Sequence, residues 1–223
     1  MTSRVIAIDG PAGSGKSTTA KAVAARLDLP HVESGALYRA VTLAALDADV
    51  PFVGQRLVAL ARSLPIRLDL TSSGFRPEIA GVDVSQEIRS GRVTADVSEV
   101  SAIPEVRTWV NEEVRAAVER HPRGAVLEGR DIGTVVFPDA ALKIFLTASP
   151  EARARRRLLQ DGRPADEVAV RGEIEALGRR DVADSTRAVA PLRAADDAVL
   201  LDTSELSFEE QVEHIVRLAR NLF

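Results

Sequence analysis

One stretch near the start of the chain constrains its fold more than any other. Val5-Ile6-Ala7-Ile8-Asp9 is an apolar run of strand type, followed at once by Gly10-Pro11-Ala12-Gly13-Ser14-Gly15-Lys16-Ser17-Thr18. The second segment satisfies G-x-x-x-x-G-K-[ST] at every fixed position, and it lies between a strand and a helix, where that pattern has physical meaning. Its glycines let the backbone turn with several N–H groups facing inward, at the positive end of the helix that follows, so the loop is built to hold phosphates. Lys16 would reach the outer phosphates of a nucleotide as a point charge, and the Ser17 hydroxyl would take one position on a Mg²⁺ that the phosphates also bind. The chain has only three lysines against 26 arginines, so a lysine here is not compositional noise.

Composition narrows the class. A chain of 223 residues, 45% hydrophobic and 28% charged, is ordinary for a soluble globular protein of one α/β domain, with or without a smaller insertion. It has no cysteine, which excludes disulfides and thiolate metal sites. A net charge of −4 argues against a general nucleic-acid binder. The first strand begins within about five residues of the start, leaving no room for a signal peptide, and no apolar run reaches the ~20 residues of a membrane span. A cytoplasmic monomer is therefore expected, without nucleic-acid or membrane partners.

Periodicity places the elements. Helices are expected over 16–27, from Ser34-Gly35 onward, over 55–63, through 91–121, from Ser149-Pro150, over 165–180, and after a cap at Ser207. The last carries Phe208, Val212, Ile215, Ala219 and Leu222 on one stripe. Strands are expected at 5–9, 30–33, 125–127, 142–147 and 198–202. This alternation predicts an α/β fold, a five-stranded parallel doubly wound sheet built on the P-loop. Between 65 and 90 the pattern changes: Ile66 to Leu70, Phe75 to Ile79 and Val82 to Val84 read as three short antiparallel strands around a turn at Thr71-Ser72-Ser73-Gly74, with Pro77 suited to an edge. His31 has no partner at metal-ligand spacing and Trp109 lies with Val106, Val110 and Val114 near helical spacing, so both read as structural.

A P-loop alone fits a switch GTPase, a transport ATPase or a small-molecule kinase. No Asn-Lys-x-Asp segment for guanine exists, since the two asparagines precede Glu112 and Leu222, and no Leu-Ser-Gly-Gly-Gln signature is present. Arginines favour the kinase. Phosphoryl transfer needs charge neutralised and two phosphate-bearing substrates held in line, which guanidinium forks do well. Four arginines lie within five residues, Arg153, Arg155, Arg156 and Arg157, on an element broken by Asp161-Gly162-Arg163-Pro164. They would suit a mobile helical lid, its side chains solvated until nucleotides bind. The same reading places Lys16 in a solvated loop.

The chain resembles bacterial cytidylate kinases of the longer type over essentially its whole length. The carriers are Gly10 to Thr18, Ser34-Gly35-Ala36-Leu37-Tyr38-Arg39, Asp83-Val84-Ser85-Gln86-Glu87-Ile88-Arg89, Gly129-Arg130-Asp131-Ile132-Gly133-Thr134-Val135-Val136-Phe137-Pro138, and the run from Arg180 to Leu192. The fourth is the most telling. The resemblance implies transfer of the γ-phosphoryl of ATP to CMP or dCMP, with Mg²⁺, in pyrimidine nucleotide metabolism. It implies that Ser34, Arg39, Arg130 and Arg187 surround the acceptor's phosphate, that Ser98, Arg107 and Asp131 face the cytosine edge, and that Arg180 and Asp184 meet the ribose. Lys16, Arg130, Arg153, Arg157 and Arg187 would be catalytic. The implied layout is one P-loop kinase domain, with its core at 1–64, 91–150 and 181–223, a monophosphate-side insertion at 65–90 and a lid at 151–180.

The residue chemistry agrees. Cytosine offers an amino donor at N4 beside acceptors at N3 and O2, so a hydroxyl and a carboxylate can accept while an arginine donates. Glu128 stands where many family members have aspartate; at the end of an apolar strand it could still hold a Mg²⁺-bound water. Two alternatives remain at this stage: a P-loop kinase for another monophosphate such as UMP or dTMP, and a nucleotide-gated binding protein without a transfer activity.

Overall fold

The computed structural model describes residues 3–71, 74–121 and 123–221. Its strands are β1 (Ser3–Asp9), β2 (His31–Glu33), β3 (Ile66–Thr71), β4 (Gly74–Ile79), β5 (Val82–Asp83), β6 (Ala125–Gly129), β7 (Ala140–Thr147) and β8 (Val199–Asp202). Its helices are α1 (Lys16–Leu27), α2 (Gly35–Asp47), α3 (Gly54–Ser63), α4 (Gly91–Ala102), α5 (Pro104–Glu119), α6 (Pro150–Gln160), α7 (Glu167–Thr186) and α8 (Phe208–Arg220). Five strands form the parallel sheet in the order β2, β6, β1, β7, β8, and β3, β4 and β5 form a separate three-stranded antiparallel sheet. The expected fold class is the observed one. The chain divides into two compact units, Met1–Asp28 with Val126–Phe223, and Leu29–Ala125.

In the first unit the adjacent strands β1 and β7 are largely apolar, as buried parallel strands are. Ile6, Ile8, Ile144 and Leu146 are fully buried, each stabilising the fold by roughly 1.5 to 3 kcal/mol. α1 packs on α8 and α6 on α7. α8 starts at the expected cap: Ser207 Oγ accepts from Glu210 N, and the Glu210 carboxylate accepts from the Ser207 backbone N–H. Val212, Ile215 and Ala219 are buried as the stripe predicts, but Phe208 is 48% exposed, because the first helical position precedes the turn that meets the core. Leu222, also assigned to that stripe, lies outside the described residues.

In the second unit α2 packs against α4, and α3 against α5. Trp109 is buried there with Val106, Val110 and Val114, as its spacing requires. His31 meets the Phe75 ring edge-on at 5.9 Å between centroids. The turn residues Ser72 and Ser73 lie outside the described residues. Pro77 is on the central strand β4, not on an edge. It is tolerated because β5 pairs only with Glu78 and Ile79: the Pro77 carbonyl still accepts from Val84 N at 3.0 Å, and the missing N–H falls where that ladder ends.

One helix departs usefully from its expected span. The element expected over 165–180 starts after an Asp166 cap and continues to Thr186, since no glycine or proline interrupts 179–190. Arg180, Asp181 and Asp184 therefore share α7.

Candidate active site

The P-loop leaves the central strand β1 at Gly10. A Cβ there would lie 2.0 Å from the Leu146 carbonyl oxygen, so only glycine lets the loop pass β7. Gly15 takes φ of 89° just before α1, which delivers the first turn of that helix to the loop. Pro11, Ala12, Gly13, Ser14 and Thr18 complete the cradle; Ser14 is fully buried, and Thr18 Oγ1 donates back to the Gly15 carbonyl at 2.9 Å.

Lys16 is not solvated, contrary to expectation: it is 6% exposed and donates to the Pro11 carbonyl at 2.7 Å. Its ammonium folds back over the loop it belongs to. Burial pushes its pKa well below the usual lysine value; the positive charges of Arg130 and Arg180 add to that, and Glu128 and Asp9 oppose it. Crowded cations of this kind gain when a phosphate enters.

Ser17 Oγ donates to Glu128 Oε2 at 2.8 Å, and Glu128 is 4% exposed at the end of β6. A hydroxyl and a carboxylate side by side are hard oxygen donors of the kind Mg²⁺ takes, alongside waters and phosphate oxygens. Among the described residues no cluster of three or more His, Asp or Glu side chains forms a protein-only metal cage. The pair fits an ion that a nucleotide carries in.

Beyond β6 the structure joins four of the expected substrate residues. Arg130 Nε donates to Asp184 Oδ2 at 2.7 Å, Arg187 Nη2 meets Asp131 Oδ1 at 3.5 Å, and Arg187 Nη1 lies 4.0 Å from Asp184 Oδ1. Arg187 Nε donates to the Ala190 carbonyl at 2.6 Å. Arg130, Asp184, Arg187 and Asp131 thus alternate in charge along one chain of contacts, held between the end of β6 and α7.

The arginines of α6 are not a solvated set. Arg153 is 7% exposed and donates through Nη1 to the Ala12 carbonyl at 2.9 Å and to Asp181 Oδ2 at 2.6 Å. Arg156 donates to Thr203 Oγ1 at 2.9 Å, and Arg157 pairs with Asp161 at 3.0 Å. Arg155, paired with Glu151 one turn away at 3.0 Å, and to a lesser degree Arg157 keep the exposed character that the charge run suggested. The reason is physical: a buried hairpin of α6 and α7, with Ala154, Leu158, Val170 and Leu177 around Ala12, draws the arginine stems inward.

In the second unit, Ser34 precedes α2 and is buried. Arg39 donates to the Ile88 carbonyl and to Thr94 Oγ1, both at 3.0 Å. Arg107 is 3% exposed, donates to the Ser101 carbonyl at 2.8 Å, and sits over the Tyr38 ring at 5.4 Å. Ser101 Oγ in turn donates to the Ser98 carbonyl at 3.1 Å, which connects Ser98 with Arg107.

Sequence reasoning passed over two residues. Asp9 closes the apolar run of β1, yet it is 5% exposed and accepts from the backbone N–H of Ile132 and Gly133. A carboxylate ending a buried strand was the available signal. Asp181 accepts from Ala12 N at 3.3 Å while pairing with Arg153, so both backbone polar atoms of the P-loop residue Ala12 are held from α6 and α7. No local pattern marks it.

Known proteins resemble the chain over nearly its whole length. The model of the family described as cytidylate kinase matches residues 6–221. The cytidylate kinase of Streptomyces griseus is 48% identical over 216 residues, covering 96% of this chain and 91% of that protein. That of Corynebacterium efficiens is 46% identical, covering 96% and 93%, and that of Mycobacterium avium is 46% identical, covering 97% and 95%. The solved structure of TT1252 from Thermus thermophilus superposes with a TM-score of 0.50 at 20% identity, covering 99% of this chain and 98% of that one, which bears on the fold alone. With a P-loop, a full-length family match and relatives of this identity, the chain belongs to the cytidylate kinase family.

Proposed function

We propose that this chain transfers the γ-phosphoryl group of ATP to CMP or dCMP, forming CDP or dCDP and ADP. An oxygen of the acceptor phosphate attacks the γ-phosphorus and the bond to the ADP oxygen breaks. That oxygen is already anionic, so the protein has to position and neutralise rather than abstract a proton. The observation that carries the reading is the alternating Arg130–Asp184–Arg187–Asp131 network in the same unit as the P-loop.

Within this proposal Gly10 to Thr18 hold the ATP phosphates, and Lys16, Arg130, Arg153, Arg157 and Arg187 neutralise the transferring group. Ser34 and Arg39 hold the acceptor phosphate together with Arg130 and Arg187. Ser98, Arg107 and Asp131 read the base, and Arg180 and Asp184 the ribose. Mg²⁺, taken by Ser17 with Glu128 through water, would neutralise the phosphate charges. The segment 65–90 serves the monophosphate side and 151–180 the lid. No described helix is long and apolar enough to cross a membrane; a cytoplasmic monomer acting on free nucleotides is the proposed setting.

The test is product identity. The protein is incubated with ATP, Mg²⁺ and one nucleoside monophosphate at a time, and ADP and each diphosphate are separated and measured. CDP and dCDP in amounts matching ADP are expected. UDP or dTDP as the main product makes it a kinase for another monophosphate, and ADP without any diphosphate makes it a nucleotide-binding protein that hydrolyses ATP.

A further inference from the structure

The segment after Arg130 and Asp131 is not a regular element. Residues Ile132–Val136 make one wide turn, with Val136 N bonded to the Asp131 carbonyl at 3.1 Å. A turn of this kind has few internal bonds to fix its start, so something else must hold it. Two side chains from adjacent strands do so. Asp9, at the end of β1, accepts from Ile132 N at 2.9 Å through one oxygen and from Gly133 N at 2.8 Å through the other. Lys143, on β7, donates to the Pro138 carbonyl at 2.6 Å, is itself held by Asp197 at 2.8 Å, and lies so close to Gly133 that a Cβ there would be 3.2 Å from its chain. The carboxylate grips the start of the segment and the ammonium its end.

We propose that Asp9 is a positioning residue for phosphoryl transfer: by accepting both amide protons it fixes the peptide that carries Arg130 and Asp131. This rests on the function proposed above. Two charge-assisted bonds to a buried carboxylate are geometrically demanding, since each oxygen has one assigned donor. The neighbour Asp131 is the next residue back along the chain, so a shift of the Ile132 amide moves it directly. Asp9 itself touches no proposed substrate group.

Titration gives a handle. Burial pushes the Asp9 carboxyl up to about 6; the bonds from Gly133 and Ile132 oppose that, the Asp131 charge adds to it, and Lys16 opposes it. The lock is therefore ionised at pH 8 and protonated at pH 5.

Two measurements decide the proposal. Steady-state kinetics of Asp9→Asn at pH 8, where Asp9 and the acceptor phosphate are both ionised, should show KM for CMP raised at least ~10-fold and KM for ATP within about twofold, because the carboxamide turns a donor toward one of the two amides. A KM for CMP within about twofold of wild type, or equal rises for both substrates, overturns the positioning role. The second measurement uses the unaltered protein and no substrate: the amide resonances of Ile132 and Gly133 are followed by NMR through pH 4.5 to 7.5. Both should shift together with a midpoint near 6. Resonances that do not move overturn the lock even if Asp9→Asn cannot be prepared folded. Absence of CDP formation by wild type would instead defeat the functional reading, while the titration still decides whether Asp9 holds the turn.

Discussion

The two units hold their candidate residues in different ways. In the unit formed by Met1–Asp28 and Val126–Phe223, charged side chains neutralise one another: Arg130 with Asp184, Arg187 with Asp131, Arg153 with Asp181. In the unit Leu29–Ala125, Arg39 and Arg107 rest on backbone carbonyls, a hydroxyl and an aromatic face. A network of paired charges is preorganised but interdependent, because removing one member leaves another buried without its counter-charge. A side chain held by hydrogen bonds to carbonyls and a hydroxyl can be altered with more local effect. The paired charges suit Arg130 and Arg187, which the proposed function sets around both the acceptor phosphate and the transferring group.

Four substitutions probe that contrast, from the largest effect down. Lys16→Met removes the buried ammonium of the P-loop and should lower kcat at least ~100-fold. Because that ammonium is desolvated and its pKa is depressed, an apolar chain of similar length should leave the melting temperature unchanged or higher. Steady-state kinetics and thermal melting on one preparation check both halves; near-normal turnover by the folded variant would end the P-loop assignment.

Asp184→Asn should be next. It leaves Arg130 and Arg187 without their shared carboxylate, and a loss of about 3 kcal/mol in denaturant stability is expected, with kcat/KM for CMP down at least ~10-fold. A stability change near zero would mean that the network is not coupled. Ser98→Ala, in the second unit, should weaken CMP by about 10-fold while leaving stability within about 0.5 kcal/mol. If it destabilises as strongly as Asp184→Asn, the contrast between the units fails. Arg155→Ala should be the mildest, within about 0.5 kcal/mol and with unchanged kcat, since its partner Glu151 is an exposed neighbour one helical turn away.

What the sequence made legible was local. The span of α1, the caps at Ser149 and Ser207 and the three short antiparallel strands all depend on neighbours in the chain, and each was read correctly. What it hid were pairings across the fold. The α6 arginines read as a charged face because sequence shows their density, not that Asp181 and Thr203 wait on other elements for Arg153 and Arg156. Asp9 read as the end of a strand because the amides it receives come from more than a hundred residues away. Pro77 read as an edge residue because the length of β5, which decides whether its missing N–H matters, is a property of the neighbour.

Under the proposed function the acceptor's base is cytosine and not uracil. If Ser98 and Asp131 both accept from the N4 amine, uracil presents a carbonyl oxygen to two acceptors, a buried mismatch of about 1 to 3 kcal/mol. The decisive measurement is kcat/KM for CMP and for UMP with saturating ATP and Mg²⁺, on wild type and on Asp131→Asn. Wild type should favour CMP at least ~10-fold, and Asp131→Asn should narrow the gap chiefly by losing CMP activity. Equal use of CMP and UMP by wild type, or an unchanged ratio in Asp131→Asn, would contradict it.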